Sequence, residues 1–111
     1  MTDREKLDSA LGFAMKAGKV RSGETAAEAA LKSGRVFAAV IDRDASEKTK
    51  KRWAEACVNL GVPLVEADEV GRAIGRGAHM IACITDKGFA QMILRVSEYK
   101  PDCGGTANGK E

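Results

Sequence analysis

Six consecutive apolar residues, Val36-Phe37-Ala38-Ala39-Val40-Ile41, constrain this chain more than any other stretch. A strand with one face in water alternates polar and apolar residues, and this run does not alternate. Its length suits a central strand covered on both faces by other elements. Met80-Ile81-Ala82-Cys83-Ile84 repeats the pattern near the other end of the chain and predicts a second buried strand. Helical patterns lie around and between the two runs.

Leu7, Leu11 and Ala14 recur at helical spacing within residues 3–17, with Met15 beside them, and Gly18 ends that helix. Lys19 to Ser22 is expected to form a short strand. Thr25 and Glu28 have the spacing of a capping box, so a second helix is expected from Thr25 through Leu31, stopped by Gly34. Asp42-Arg43-Asp44 forms a polar turn, and Ser46 caps a third helix. On that helix Trp53, Cys57 and Leu60 share the core-facing side, while Lys48, Lys50, Lys51, Arg52 and Glu55 lie largely opposite. Gly61 and then Pro63 close it. Pro63 places the Val62–Val65 strand at an edge or at a strand start. A short helix follows from Asp68 to Ile74 and is broken by Gly75-Arg76-Gly77. Thr85 or Asp86 starts the last helix, with Phe89, Ile93 and Val96 on one side. Strands alternating with helices predict a three-layer α/β/α sandwich with a largely parallel central sheet.

Residues 1–99 are read as a single α/β/α domain. Residues 100–111 are rich in Gly, Asp, Asn and Lys without apolar periodicity, which predicts a disordered C-terminal tail. No run reaches the length of a membrane span, and the charged start, Asp3-Arg4-Glu5-Lys6, is unlike a signal peptide. Cys57, Cys83 and Cys103 are an odd number without paired spacing, which supports neither a disulfide framework nor a zinc site. A reducing cytoplasm fits this usage.

The candidate chemistry is sparse. His79 is the single histidine, and no acidic or cysteine cluster has ligand spacing, so neither a metal nor a cofactor is expected. Asp42 and Asp44 lie at a strand end, where turn and cap roles are the ordinary ones. No catalytic set is visible, so the chain is not expected to be an enzyme, and no small-molecule substrate is expected. The net charge is +2, but residues 1–52 carry 12 Lys/Arg against 8 Asp/Glu and the rest 6 against 8. A basic half can meet a polyanion although the whole is near neutral. Two basic turns stand out, Lys19/Arg21 and Arg72/Arg76/His79. The first feeds a helix start at Gly23-Glu24-Thr25, where unpaired backbone N–H groups suit phosphate.

In their order these segments resemble the kink-turn RNA-binding ribosomal-protein family of archaeal and eukaryotic large subunits, most closely its bacterial YlxQ-like branch. Leu11-Gly12-Phe13-Ala14-Met15-Lys16-Ala17-Gly18-Lys19 resembles the first helix and basic turn of that branch. Ser22-Gly23-Glu24 resembles its second helix start, and Val40 to Ser46 its strand and acidic turn. Val70-Gly71-Arg72-Ala73-Ile74-Gly75 resembles the family's Leu-Gly-x-Ala-x-Gly signature, and Ile84 to Ala90 the last strand–helix junction.

The resemblance implies a four-stranded mixed sheet and a non-catalytic protein that binds structured RNA, with protein partners in a ribonucleoprotein. It implies an RNA surface at Gly23, Glu24, Thr25 and Ala26 and at Arg76, Gly77, Ala78 and His79. The two basic turns, with Lys19, Arg21 and Arg72, are then expected to converge on one edge. Kink-turn binders usually carry Asn or Lys, then Glu, Gln or Ser, at the positions of Thr25 and Ala26, and Lys at Ala29. Here Ala26 and Ala29 depart from that pattern. The alternative reading is a protein-interaction module on the same scaffold.

Overall fold

A computed structural model describes residues 3–97. The proposed tail and Cys103 lie outside the described residues. The elements in order are α1 (Asp3–Lys16), β1 (Val20–Ser22), α2 (Glu24–Lys32), β2 (Ala38–Asp42), α3 (Glu47–Leu60), β3 (Leu64–Ala67), α4 (Val70–Ala73), β4 (Ile81–Ile84) and α5 (Lys87–Val96).

The four strands form one sheet in the order β1-β4-β2-β3. The two continuous apolar runs, β2 and β4, occupy its centre and are buried along their whole length. One set of alternate residues, including Ala38, Val40, Ala82 and Ile84, packs under α1, α4 and α5 against Leu11, Val70 and Ile93. The other set, including Ala39, Ile41, Ile81 and Cys83, packs under α2 and α3 against Ala27, Leu31, Trp53 and Cys57. The three-layer α/β/α sandwich is therefore present. Burial pushes the thiol of Cys57 up to about 11 and that of Cys83 up to about 12, so both behave as neutral apolar groups.

The expectation of a largely parallel sheet is corrected, because only β2 and β3 pair in parallel. β4 runs antiparallel to both β1 and β2. The reason lies in the lengths of the connections. Parallel neighbours need a crossover that returns the chain to its starting end. α3 is long enough to do this between β2 and β3. α4 has 4 residues and spans about 6 Å. It cannot carry the chain back, so β4 enters from the end at which β3 leaves and slots, reversed, between β1 and β2. The mixed sheet implied by the resemblance is the one observed.

Several apolar residues at element ends are exposed where the pattern placed them inside. Phe37 precedes β2, Met80 precedes β4 and Leu60 ends α3. The capping box at Thr25 is also corrected. Gly23 is the N-cap of α2, with φ 84° and ψ 154°, and no side chain caps it. The Gly23 N–H donates to the Ile81 carbonyl at 3.1 Å, so the chain stays bound to the sheet through Gly23 and must turn at once into the helix. Thr25 lies within the first turn and is exposed. The caps expected at Ser46 and Asp86 are present, accepting from Thr49 N–H and Phe89 N–H.

Candidate nucleic-acid interface

The sheet has two ends. The carboxyl ends of β1, β2 and β3 and the amino end of β4 meet at one of them, together with the starts of α2 and α3. The loop after α4 joins them there. The Arg76 N–H donates to the Gly71 carbonyl at 2.7 Å, and the His79 N–H donates to the Arg76 carbonyl at 2.8 Å. This folds residues 76–79 tightly over Gly71. A Cβ at Gly71 would lie 2.5 Å from the Arg76 carbonyl oxygen and 2.7 Å from that of His79. Gly71 is therefore required for close approach, whereas Gly75, at φ 73°, ends the short helix as its position suggested.

The loop delivers His79 to the start of α2. Its Nδ1 shares a 2.8 Å hydrogen bond with Ser22 Oγ. The ring lies against Gly23, where an added Cβ would come within 3.2 Å of Cε1 and Nε2. Gly23 thus serves twice, taking a backbone conformation that side chains resist and leaving room for the imidazole. Between α2 and α3 a cleft of about 230 Å³ opens, lined by Gly23, Glu24, Ser46, Thr49, Trp53 and His79 among others. Trp53 is 2% exposed, and its buried Nε1 has no hydrogen-bond partner among the described residues.

Asp42 holds this end together and has no need of a catalytic role. Its Oδ1 accepts from the Asp44 N–H at 2.9 Å and its Oδ2 from the Val70 N–H at 3.1 Å. It therefore fixes its own turn and supplies the start of α4 with the acceptor that Glu69 does not provide. Most nearby cations are paired. Arg43 binds Asp68 at 2.9 Å and Arg72 binds Glu69 at 3.3 Å. Arg52 bridges Glu24 and Glu28 while its guanidinium stands 5.2 Å from the centre of the Trp53 ring. Arg76 is exposed and holds no ion pair among the described residues.

Of the residues singled out in the sequence, Gly23, Glu24, Thr25, Arg76, Gly77 and His79 gather at this end, with Arg72 one helix away. Lys19 and Arg21 do not join them, and the expected convergence of the two basic turns is corrected. Lys19 precedes β1 and its carbonyl accepts from the Thr85 N–H, at the opposite end of the strand from Gly23. Four residues of extended chain separate the two positions, about 13 Å. Arg21 folds back onto the same far turn, its Nη1 donating to the Gly18 carbonyl at 3.1 Å. Ser22, Ser46, Thr49 and Trp53 were not singled out as site residues. Ser22 meets its partner 57 residues away in sequence, and no local pattern signals such a pair.

Residues 5–94 match the model of the family described as ribosomal protein L7Ae/L30e/S12e/Gadd45. The RNA-binding protein YlxQ of Bacillus subtilis (strain 168) is 32% identical over 87 residues, covering 76% of this chain and 87% of that protein. The RNA-binding protein YlxQ of Enterococcus faecium is 32% identical over 99 residues, covering 86% and 95%. A solved protein of unknown function from Bacillus halodurans is similar with a TM-score of 0.78 and 28% identity, over 85% of this chain and 98% of that one. The 15.5 kD RNA binding protein of Giardia lamblia shares the fold at a TM-score of 0.68 and 18% identity, over 85% and 83%. With its sheet order, its second-helix start and its crowded Gly71 accounted for, the chain belongs to the ribosomal protein L7Ae/L30e/S12e/Gadd45 family, close to its YlxQ branch.

Proposed function

We propose that this protein is a non-catalytic RNA-binding protein that receives structured RNA at the start of α2 and on the adjoining loop of residues 76–79. The observation that carries this reading is the open helix start. Gly23 leaves α2 without a side-chain cap, while α3 and α5 cap themselves with Ser46 and Asp86. The first N–H groups of a helix have no intrahelical acceptor, and the helix dipole favours an anion there. Arg76 is free to meet a phosphate beside them, and His79 offers Nε2. Thr25, exposed in the first turn, offers a hydroxyl in place of the side-chain groups that Ala26 and Ala29 lack, and Glu24 adds a carboxylate once its 3.1 Å pair with Arg52 opens. Phosphate contacts position the RNA, and base-edge contacts select it. The two YlxQ relatives, both described as RNA-binding proteins, support the same partner class.

Kink-turn recognition on this scaffold would rest on Glu24, Thr25 and backbone groups. Filter binding compares a kink-turn RNA with a straight duplex of the same composition. Preference for the kink is the expected result, and equal binding would restrict the reading to structured RNA in general. His79→Ala is expected to weaken binding several-fold and Arg76→Gln to remove about one phosphate contact from the salt dependence. The exposure of Ala26 and Ala29 favours a second reading, a protein-interaction module with a flat helix start. Capture of a partner that survives nuclease treatment and is lost in Ala29→Glu would support it.

A further inference from the structure

The far end of the sheet collects cations that the α2-start reading leaves unused. α1 ends there with Lys16, followed by Lys19. β2 begins there after Arg35 and Phe37, and α5 begins there with Lys87. Hydrogen bonds bring these segments side by side. The Thr85 N–H donates to the Lys19 carbonyl at 2.9 Å, and the Phe37 N–H donates to the Ile84 carbonyl at 2.9 Å. Lys19, Thr85 and Phe37 therefore flank the ends of the neighbouring strands β1, β4 and β2, so Lys19 and Phe37 are about 10 Å apart. Arg21 joins them through its bond to the Gly18 carbonyl.

Lys16, Lys19, Arg35 and Lys87 are exposed, and none has an ion pair among the described residues. The Asp86 carboxylate caps α5 by accepting from the Phe89 N–H and forms no ion pair with these cations among the described residues. Helix dipoles explain only part of the cluster. Lys16 lies in the last turn of α1, where a cation is favoured. Lys87 is the first residue of α5, where the dipole disfavours one. Phe37, beside Arg35, keeps 45% of its surface exposed. Unpaired cations around an exposed aromatic ring match a nucleic-acid strand, whose phosphates take the charges and whose bases stack.

We infer that this far end is a second RNA-contacting surface, so that one protein holds two RNA segments at opposite ends of its sheet. The inference rests on the RNA-binding reading, and two sets of variants separate the two. Bulk folded transfer RNA is the probe, titrated at several salt concentrations. Lys19→Gln, Arg35→Gln and Lys87→Gln together remove three cations without touching a buried group, and a circular-dichroism melt checks that the fold is kept. Each lost phosphate contact lowers the log–log salt slope by about 0.7–0.9, so the triple variant is expected to lose about 2–3 from the slope. His79→Ala is expected to lower affinity and leave the slope unchanged.

An unchanged slope in the triple variant would overturn the second surface and leave the α2-start reading standing. Unchanged affinity in His79→Ala, with the slope lost in the triple variant, would do the reverse. Phe37→Ala tells RNA from an acidic protein. It is expected to weaken transfer-RNA binding several-fold and to leave polyglutamate binding as it was. Loss of polyglutamate binding alone would overturn the assignment to RNA in favour of an acidic polypeptide.

Discussion

The two ends of the sheet are built from different materials. At the α2 start, position is enforced by buried and directional contacts. Asp42 holds two backbone N–H groups, His79 is tied to Ser22, and three carbonyls close over Gly71. Cations there are mostly matched by carboxylates, as in Arg43–Asp68 and Arg52–Glu24. At the far end the turns need little more than left-handed glycines, and Lys16, Lys19, Arg35 and Lys87 hold no ion pair among the described residues, although Lys32 pairs with Glu28. Gly18 and Gly34, at φ 74° and 77°, have no atom of the described residues within 4 Å of an added Cβ. One end is suited to recognise by shape and the other to attract by charge. Substitutions that disturb geometry should therefore matter most at the first, and salt should matter most at the second.

The pair Gly71 and Gly18 breaks or sharpens this contrast most directly. An alanine in a helix normally gains up to about 1 kcal/mol over glycine. Gly71→Ala is expected to reverse that sign, because the new carbon meets three carbonyls of its own following loop. A loss of about 1–3 kcal/mol in urea unfolding is the expected result, together with weaker RNA binding as residues 76–79 shift. Gly18→Ala has free space but a positive φ, so a smaller loss of about 1–2 kcal/mol is expected from the backbone alone. A larger loss at Gly18 than at Gly71 would refute the distinction between the ends. Asp42→Ala tests the same end by another route. It strands the N–H groups of Asp44 and Val70, and unpaired groups of this kind cost about 1–3 kcal/mol. Loss of stability together with RNA binding is expected. Asp42→Asn keeps one acceptor oxygen and sets its N–H₂ donor against the other backbone N–H, so it should lie between.

How much of this was legible in the residues follows the same division. The buried strands announced themselves by continuous apolar runs, and Ser46, Asp86 and Gly61 announced helix limits because capping chemistry is local. Thr25 misled because the capping-box spacing is equally local, while the bond from Gly23 to Ile81 that overrides it is not. Phe37, Leu60 and Met80 misled because periodicity tells which side a residue takes and not where an element ends. The deepest miss was one of direction. Lys19 and Gly23 look like parts of one basic turn, yet the short strand expected between them, present as β1, sends each to a different end of the sheet. The placement of His79 was legible only through the family resemblance, since its partner Ser22 lies across the antiparallel β1–β4 pairing.

The smallest expected effect concerns the two helix starts that share the cleft. Ser46 Oγ accepts from the Thr49 N–H at 3.1 Å, so the start of α3 is closed by its own side chain. Removing such a cap costs about 1 kcal/mol. For a domain of this size that lowers Tm by about 4–8 °C. Ser46→Ala should therefore melt earlier in a calorimeter. RNA affinity measured well below the melting range should stay within a factor of two of the parent, about 0.4 kcal/mol, because the open start of α2 keeps its N–H groups and His79 keeps its place. Were Ser46→Ala instead to weaken RNA binding as strongly as His79→Ala, the contact would belong to the α3 side of the cleft. The absence of a cap on α2 would then be a consequence of how β1 meets the sheet, since Gly23 would still be held by Ile81 with no ligand to receive.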